Sequence, residues 1–295
     1  MALNIVCFGE VLWDEFPDKK IIGGAPLNVA LRLGSLGNSV SMISRVGADQ
    51  EGRDLTAYLH ENQLLIEGVQ IDPKLPTGKV KVHLDKSNTA TYTILAPVAW
   101  DNIELSPHDL SNVGSSDAFV YGSLACRNMT SKNTLLKLIE RVKFKVFDAN
   151  LRPPYYDLDL VNQLMQQADL IKLNDEELDE IVSYLDIPSK DIEESMQLIA
   201  LKTKAKYICV TLGSKGALLL ADKKLYSNTG YIVQVIDTVG AGDSFLAYLI
   251  HQLLSGSGPQ ESLDRSCAMG ALVASKKGAI AEVKTSEIDQ LAKDH

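Results

Sequence analysis

The run Asp237 to Phe245 (DTVGAGDSF) has the residue types and spacing for phosphate chemistry. It follows an apolar stretch, YIVQVI, read as strand or loop, and precedes an apolar helix, FLAYLIHQLL. Gly240 and Gly242 permit backbone shapes closed to other residues. The amides of Ala241, Gly242 and Asp243 can therefore point together at an anion, and a helix N-terminus adds positive potential at the same place. Negative charge developing during phosphoryl transfer would be stabilised there. Asp243, at the first turn, can accept a proton from a hydroxyl nucleophile. The same residues also read as a plain glycine turn with Asp243 as helix N-cap, and a short GxGD run alone does not decide between the two.

Four further clusters share this layout. Gly23 to Ala30 (GGAPLNVA) opens a helix: Gly24 permits close approach of a ligand, and Asn28 offers donor and acceptor to sugar hydroxyls. It also reads as a tight turn with Pro26 in the first helical turn. Upstream, Asp14 in EVLWDEF could accept two hydroxyl hydrogen bonds or simply be solvated. Asp148 to Arg152 (DANLR) follows the run KVF, so Asp148, Asn150 and Arg152 fall at the carboxyl end of a strand, where ligands gather in open sheets. Arg152 could clamp a phosphate oxygen, with Asp148 its salt-bridge partner. Lys172 to Glu177 (KLNDEE) puts Asn174 and Glu177 three apart at a helix start. That suits a hydrated magnesium ion beside phosphate, or an Asn N-cap with a Glu capping box. Thr211 to Gly216 (TLGSKG) is either a glycine turn whose amides support a nucleotide or a hairpin turn.

Several classes are disfavoured. No GxxxxGK[ST] run exists, which excludes a P-loop enzyme, and no GxGxxG follows the first strand, which argues against a dinucleotide-binding oxidoreductase. The five histidines show no metal-ligand spacing, and the four cysteines (7, 126, 209, 267) form no CxxC pair, so a zinc site is not expected. Cys7 and Cys209 read as core thiols of a reducing compartment. With 38 acidic against 29 basic residues the net charge is −9, which disfavours nucleic acid and anionic membranes as partners. The start MALNIVCFGE lacks a basic region, and no apolar run approaches the ~20 residues of a membrane helix. A cytoplasmic protein is the expectation.

These clusters need strands and helices to position them. Short β-branched runs at Leu3–Gly9, Val40–Val46, Ala118–Tyr121, Lys145–Asp148, Leu170–Leu173 and Tyr207–Thr211 read as strands buried on both faces of a mostly parallel sheet. Amphipathic segments at Asn28–Leu36, Asp54–Leu64, Ser131–Arg141, Asp159–Ala168, Asp175–Leu185 and Ile192–Thr203 read as helices covering it. Ser255 to Gln260 (SGSGPQ) reads as a helix-to-helix connection. Thr77 to Leu95 breaks the rhythm: Val80, Val82 and Leu84 alternate with Lys79, Lys81 and His83, and TYTIL follows a DKSN turn. This is a polar-faced antiparallel hairpin, either a lid over a site or a surface decoration.

Taken together, GGAPLNVA and DTVGAGDSF resemble the two signatures of the ribokinase-type (PfkB) carbohydrate kinases, with GVQIDPKLPTGKV, DANLR, NDEE and TLGSKG in the family's order between them. The resemblance covers essentially the whole chain, and GEVLWDEF, GGAPLNVA and DANLRPPYY look most like fructokinases. It implies a ribokinase-like α/β/α three-layer sandwich, one domain over residues 1–295, with lid segments at about 11–22 and 77–98. It implies an enzyme transferring the ATP γ-phosphate to a sugar hydroxyl, most simply D-fructose to fructose 6-phosphate. Asp243 would be the base and Gly240, Ala241 and Gly242 the anion hole. Asp14, Gly24, Asn28 and Arg152 would face the sugar. Asn174, Glu177, Thr211, Gly213 and Gly216 would face the nucleotide, with Glu177 bearing on Mg2+ through water. A potassium-like ion is implied near Asp237, the Val239 carbonyl and Gly278, and a homodimer through the lid. The alternatives are a kinase for ribose, 2-keto-3-deoxygluconate or a nucleoside such as adenosine, and a non-catalytic sugar-binding regulator on the same scaffold.

Overall fold

The computed structural model describes residues 2–84 and 90–293. In chain order the strands are β1 (Asn4–Phe8), β2 (Leu12–Glu15), β3 (Lys20–Gly23), β4 (Ser39–Gly47), β5 (Val69–Asp72), β6 (Gly78–Leu84), β7 (Ala90–Ile94), β8 (Ala118–Gly122), β9 (Lys145–Asp148), β10 (Leu170–Asn174), β11 (Tyr207–Thr211), β12 (Ala217–Ala221) and β13 (Lys224–Asn228). The helices are α1 (Ala25–Ser35), α2 (Gln50–Glu61), α3 (Pro107–Ser115), α4 (Met129–Ile139), α5 (Leu158–Met165), α6 (Asp175–Tyr184), α7 (Ile192–Thr203), α8 (Ala241–Leu254), α9 (Pro259–Ala274) and α10 (Thr285–Lys293).

Nine strands form one sheet in the order β13-β12-β11-β10-β9-β8-β1-β4-β5. From β11 to β5 every pairing is parallel, and β12 and β13 add an antiparallel edge. Alternating side chains enter two separate cores. Phe8, Phe119, Tyr121 and Phe147 stack along one face, with successive ring centroids 6.2, 5.8 and 5.5 Å apart. There they meet the apolar stripes of α3 to α7. Ile5, Cys7, Val120 and Val146 point the other way, toward α1, α2, α8, α9 and α10. Burial on both faces is why these strands read as continuous apolar runs. The four cysteines are buried and free.

Four strands make a second sheet, β3-β2-β6-β7. Within the expected hairpin, β6 and β7 pair antiparallel, Val80 and Val82 are buried and Lys81 is exposed. The DKSN turn lies outside the described residues. The hairpin pairs parallel with β2 through Asp14–Val80. Its root is tied to the body where Tyr155 Oη donates to Ile94 O (2.8 Å) and Arg127 Nη2 to Leu95 O (2.7 Å). Its far side is tied by Lys79 and Lys20, both on Glu51 Oε1 at 2.7 and 2.9 Å.

Some boundaries differ from expectation for local reasons. Helix α2 starts before Asp54, because Asp49 caps it by accepting from Gly52 N at 2.8 Å. It ends before Leu64, because Gln63 takes φ 62°. Helix α1 starts at Ala25 rather than Asn28, with Pro26 in its first turn. The YIVQVI run forms no strand, and Ile232, Val235 and Ile236 are exposed. No helix among the described residues is long and apolar enough to cross a membrane.

Phe147→Ala, which empties one end of the aromatic stack, is expected to cost about 3–5 kcal/mol. Urea unfolding measures it, and a loss below about 1 kcal/mol would contradict this view of the core.

Candidate active site

The parallel strands end on one edge, and the helices that open there bring distant residues together. Helix α1 starts after Gly24, whose φ is 118°. A Cβ there would lie 2.4 Å from Glu10 O, so only glycine lets the helix start against the end of β1. Gly23 is pressed equally closely by Asp14, since a Cβ would meet its Oδ2 at 2.4 Å. One turn into α1, the buried Asn28 donates through Nδ2 to Asp243 Oδ2 at 2.8 Å.

Asp243 sits in the first turn of α8, but it is not the cap. The N-cap is Gly240, left-handed at φ 74°, with no side-chain capping bond. A Cβ on Gly240 would fall 2.5 Å from Ala279 Cβ, so the turn rests directly on the 278–282 segment. The expected row of three amides is modified, because Ala241 N donates to Thr238 O at 3.2 Å within the turn. Gly242 and Asp243 remain as first-turn amides, which by helix geometry lack intrahelical partners.

Behind the turn is a buried ion pair. Lys172 Nζ lies 3.0 Å from Asp148 Oδ1, both side chains under a tenth exposed. Asp148 therefore pairs with Lys172, not with Arg152 as the sequence suggested. The ammonium reaches to 3.9 Å of where a Gly242 Cβ would stand. Arg152 is exposed, and its charge acts on Glu10, Asp14 and Asp243.

Burial pushes the Asp243 carboxyl up to about 6, aided by the like charge of Asp148 and opposed by the Asn28 hydrogen bond, Lys172 and Arg152. Burial likewise lifts Asp14 to about 6 and Glu10 to about 7, each resisted by Arg152. Glu10, Ser123, Asp148 and Asn150 line a small recess with Ala25, Pro26 and Tyr121.

At α6 the capping reading holds in full. Asn174 Oδ1 accepts from Glu177 N, and Glu177 Oε2 accepts from Asn174 N, both at 2.8 Å. Glu177 Oε1 accepts from Leu151 N at 2.9 Å, which ties α6 to the loop carrying Arg152. Thr211 Oγ1 donates to Leu173 O at 3.3 Å. Gly213 begins the short turn from β11 to β12, so TLGSKG is a hairpin turn. Gly216 presses on the 228–230 backbone, where a Cβ would be 2.0 Å from Asn228 O. Asp237 accepts from Val239 N and Gly278 N, both at 3.1 Å, and so joins the two segments flanking Gly240.

Sequence reasoning missed Glu10, Lys172 and Arg32. The first two had a readable signal, a charged residue within or just past an otherwise apolar strand run. Arg32 had only its place on the apolar side of α1.

A family model described as pfkB family carbohydrate kinase matches residues 4–286. The chain belongs to that family, and it is a sugar kinase. Among curated relatives, fructokinase-2 of Solanum lycopersicum is 28% identical over 312 residues, spanning 96% of this chain and 93% of its own. The ATP-bound fructokinase of Xylella fastidiosa superposes with a TM-score of 0.86 at 22% identity, covering 98% of each chain. A double mutant of Vibrio cholerae O395 fructokinase, with fructose, ADP and potassium ion bound, gives a TM-score of 0.83 at 25% identity over 99% of each chain. The ribokinase-like fold implied by the sequence resemblance is borne out.

Lys172→Met would strand Asp148 as an unpaired buried carboxylate. The expected cost is about 3–5 kcal/mol in urea unfolding at neutral pH. Wild-type stability would mean that the pair carries no such weight.

Proposed function

We propose that the protein is an ATP-dependent fructokinase, forming fructose 6-phosphate and ADP. The observation that supports it best is the 2.8 Å bond from Asn28 to Asp243, which sets a polyol-binding amide and a carboxylate side by side at the glycine turn of α8. In this reading Asp243 takes the hydroxyl proton as that oxygen attacks the γ-phosphorus of ATP. The amides of Gly240, Ala241 and Gly242 form the anion hole, with the Gly242 donor carrying most because Ala241 is engaged in its turn. Lys172, beneath it, adds positive charge. Asp14, Gly24, Asn28 and Arg152 orient the sugar. Asn174, Thr211, Gly213 and Gly216 line the nucleotide.

Magnesium, when present with ATP, would supply charge neutralisation. Glu177, whose two oxygens are held in place by the amides of Leu151 and Asn174, would bear on it through water. Asp237, the Val239 carbonyl and the segment at Gly278 would hold a potassium-like ion, Asp237 supplying carboxylate oxygens that each keep a lone pair beyond the one amide they accept. The chain acts as one domain over residues 1–295, in the cytoplasm. Segments 11–22 and 77–98 serve as a lid that excludes water and pairs between two copies of the chain.

A coupled ADP-release assay over fructose, ribose, 2-keto-3-deoxygluconate and adenosine tests the substrate. Fructose is expected to give the highest kcat/KM, and another winner reassigns the acceptor. If none releases ADP, the binding-regulator reading stands instead.

Asp243→Asn should keep the fold and lower kcat by ~10² or more. Turnover surviving nearly intact would remove Asp243 as base. A base works only when ionised, so a raised pKa means activity is lost as pH falls through about 6. Asn28→Ala removes a donor that favours the ionised form, so the acid limb of kcat/KM should move to higher pH while KM for sugar rises. An unmoved limb would deny that bond its role.

A further inference from the structure

Arg32 is among the most deeply buried side chains, 2% exposed. Among the described residues, the ion pairs within 4 Å supply it with no carboxylate, and burial lowers its guanidinium from the ordinary range. An unpaired guanidinium in the interior is expensive. What it makes instead are two directed bonds: Nε donates to Ser244 Oγ at 3.1 Å and Nη2 to Ala281 O at 2.8 Å.

Those partners are informative. Asn28 and Arg32 are four apart on α1, so they project from the same face on successive turns. They hold consecutive residues of α8, since Asn28 bonds Asp243 and Arg32 bonds Ser244. The two contacts form a ladder of two rungs between helices, which fixes both rotation and sliding of α8 against α1. The third contact reaches the 278–282 segment, against which Gly240 is packed. One planar, forked cation thus spans the helix that bears the carboxylate and the wall that shapes the glycine turn. A lysine, whose three donors share one nitrogen on a flexible stem, lacks the rigid planar fork that reaches both at once.

We propose that Arg32 is a positioning residue for phosphoryl transfer, setting the α1–α8 register that aligns Asp243 with Asn28 and with the turn at Gly240–Gly242. Its burial means that it acts through Ser244 and Ala281 rather than on a substrate. The proposal rests on Asp243 being the base, so Asp243→Asn is run beside it. Full turnover by that variant overturns both readings, whereas the Arg32 variants test this one alone.

The test compares Arg32→Leu, Arg32→Lys and Ser244→Ala by steady-state kinetics against pH, with folding checked by circular dichroism. Arg32→Leu is expected to fold, to lose ~10–100-fold in kcat with KM values for ATP and sugar unchanged, and to shift the acid limb of kcat/KM upward as Asn28→Ala does. Arg32→Lys should recover part of both. A role in stability alone would leave the limb where it is. Folded Arg32→Leu with wild-type kcat, or with reduced kcat and an unmoved limb, overturns the proposal. Should Arg32→Leu not fold, Ser244→Ala decides: a smaller kcat loss with the same upward shift supports it, and wild-type values overturn it.

Discussion

A carboxylate that has been taken out of water must be given company, and much of the site follows from how Asp243 is accompanied. Its buried place at the start of α8 raises the cost of its charge. The Asn28 amide, the Lys172 ammonium and the Arg152 guanidinium offset part of that cost, each from a different element. Asn28 arrives on α1, Lys172 on β10 and Arg152 on the loop after β9. The position of one buried carboxylate therefore constrains three separate segments. Glycines stand at the starts of the two helices that carry Asn28 and Asp243, Gly24 against Glu10 and Gly240 against Ala279.

The charges around the edge of the sheet are unequal. Glu10, Asp14, Asp148, Glu177 and Asp243 gather there with Lys172 and Arg152. A neutral polyhydroxyl ligand suits such a place, because hydroxyls donate to carboxylates without adding charge. A triphosphate brings further negative charge, which the first-turn backbone amides of α8 and the Lys172 ammonium beside Gly242 are placed to offset.

The layered α/β core was legible because strands buried on both faces show as short, largely apolar runs, as at Asn4–Phe8 and Tyr207–Thr211. The hairpin showed by its alternation at Val80, Lys81 and Val82. Less was legible where the pattern is weak. β5 and β13 are short, partly polar edge strands. YIVQVI is apolar yet forms no strand, since apolarity alone does not supply a pairing partner. Of the site, the glycine turns and the polar residues next to them could be found locally. The partner of Asp148 could not, because Lys172 lies 24 residues away on a neighbouring strand. Arg32 was hidden for the same reason, as its partners are 212 and 249 residues distant.

That last separation has a consequence for biosynthesis. The first half of the cleft leaves the ribosome long before the helix that completes it. Until about residue 245 has emerged, the inward side of α1, with Leu27, Leu33 and the lone Arg32, has no α8 to rest on. A nascent chain in that state presents a greasy surface with an embedded cation, and its catalytic competence appears only with nearly the last sixth of translation.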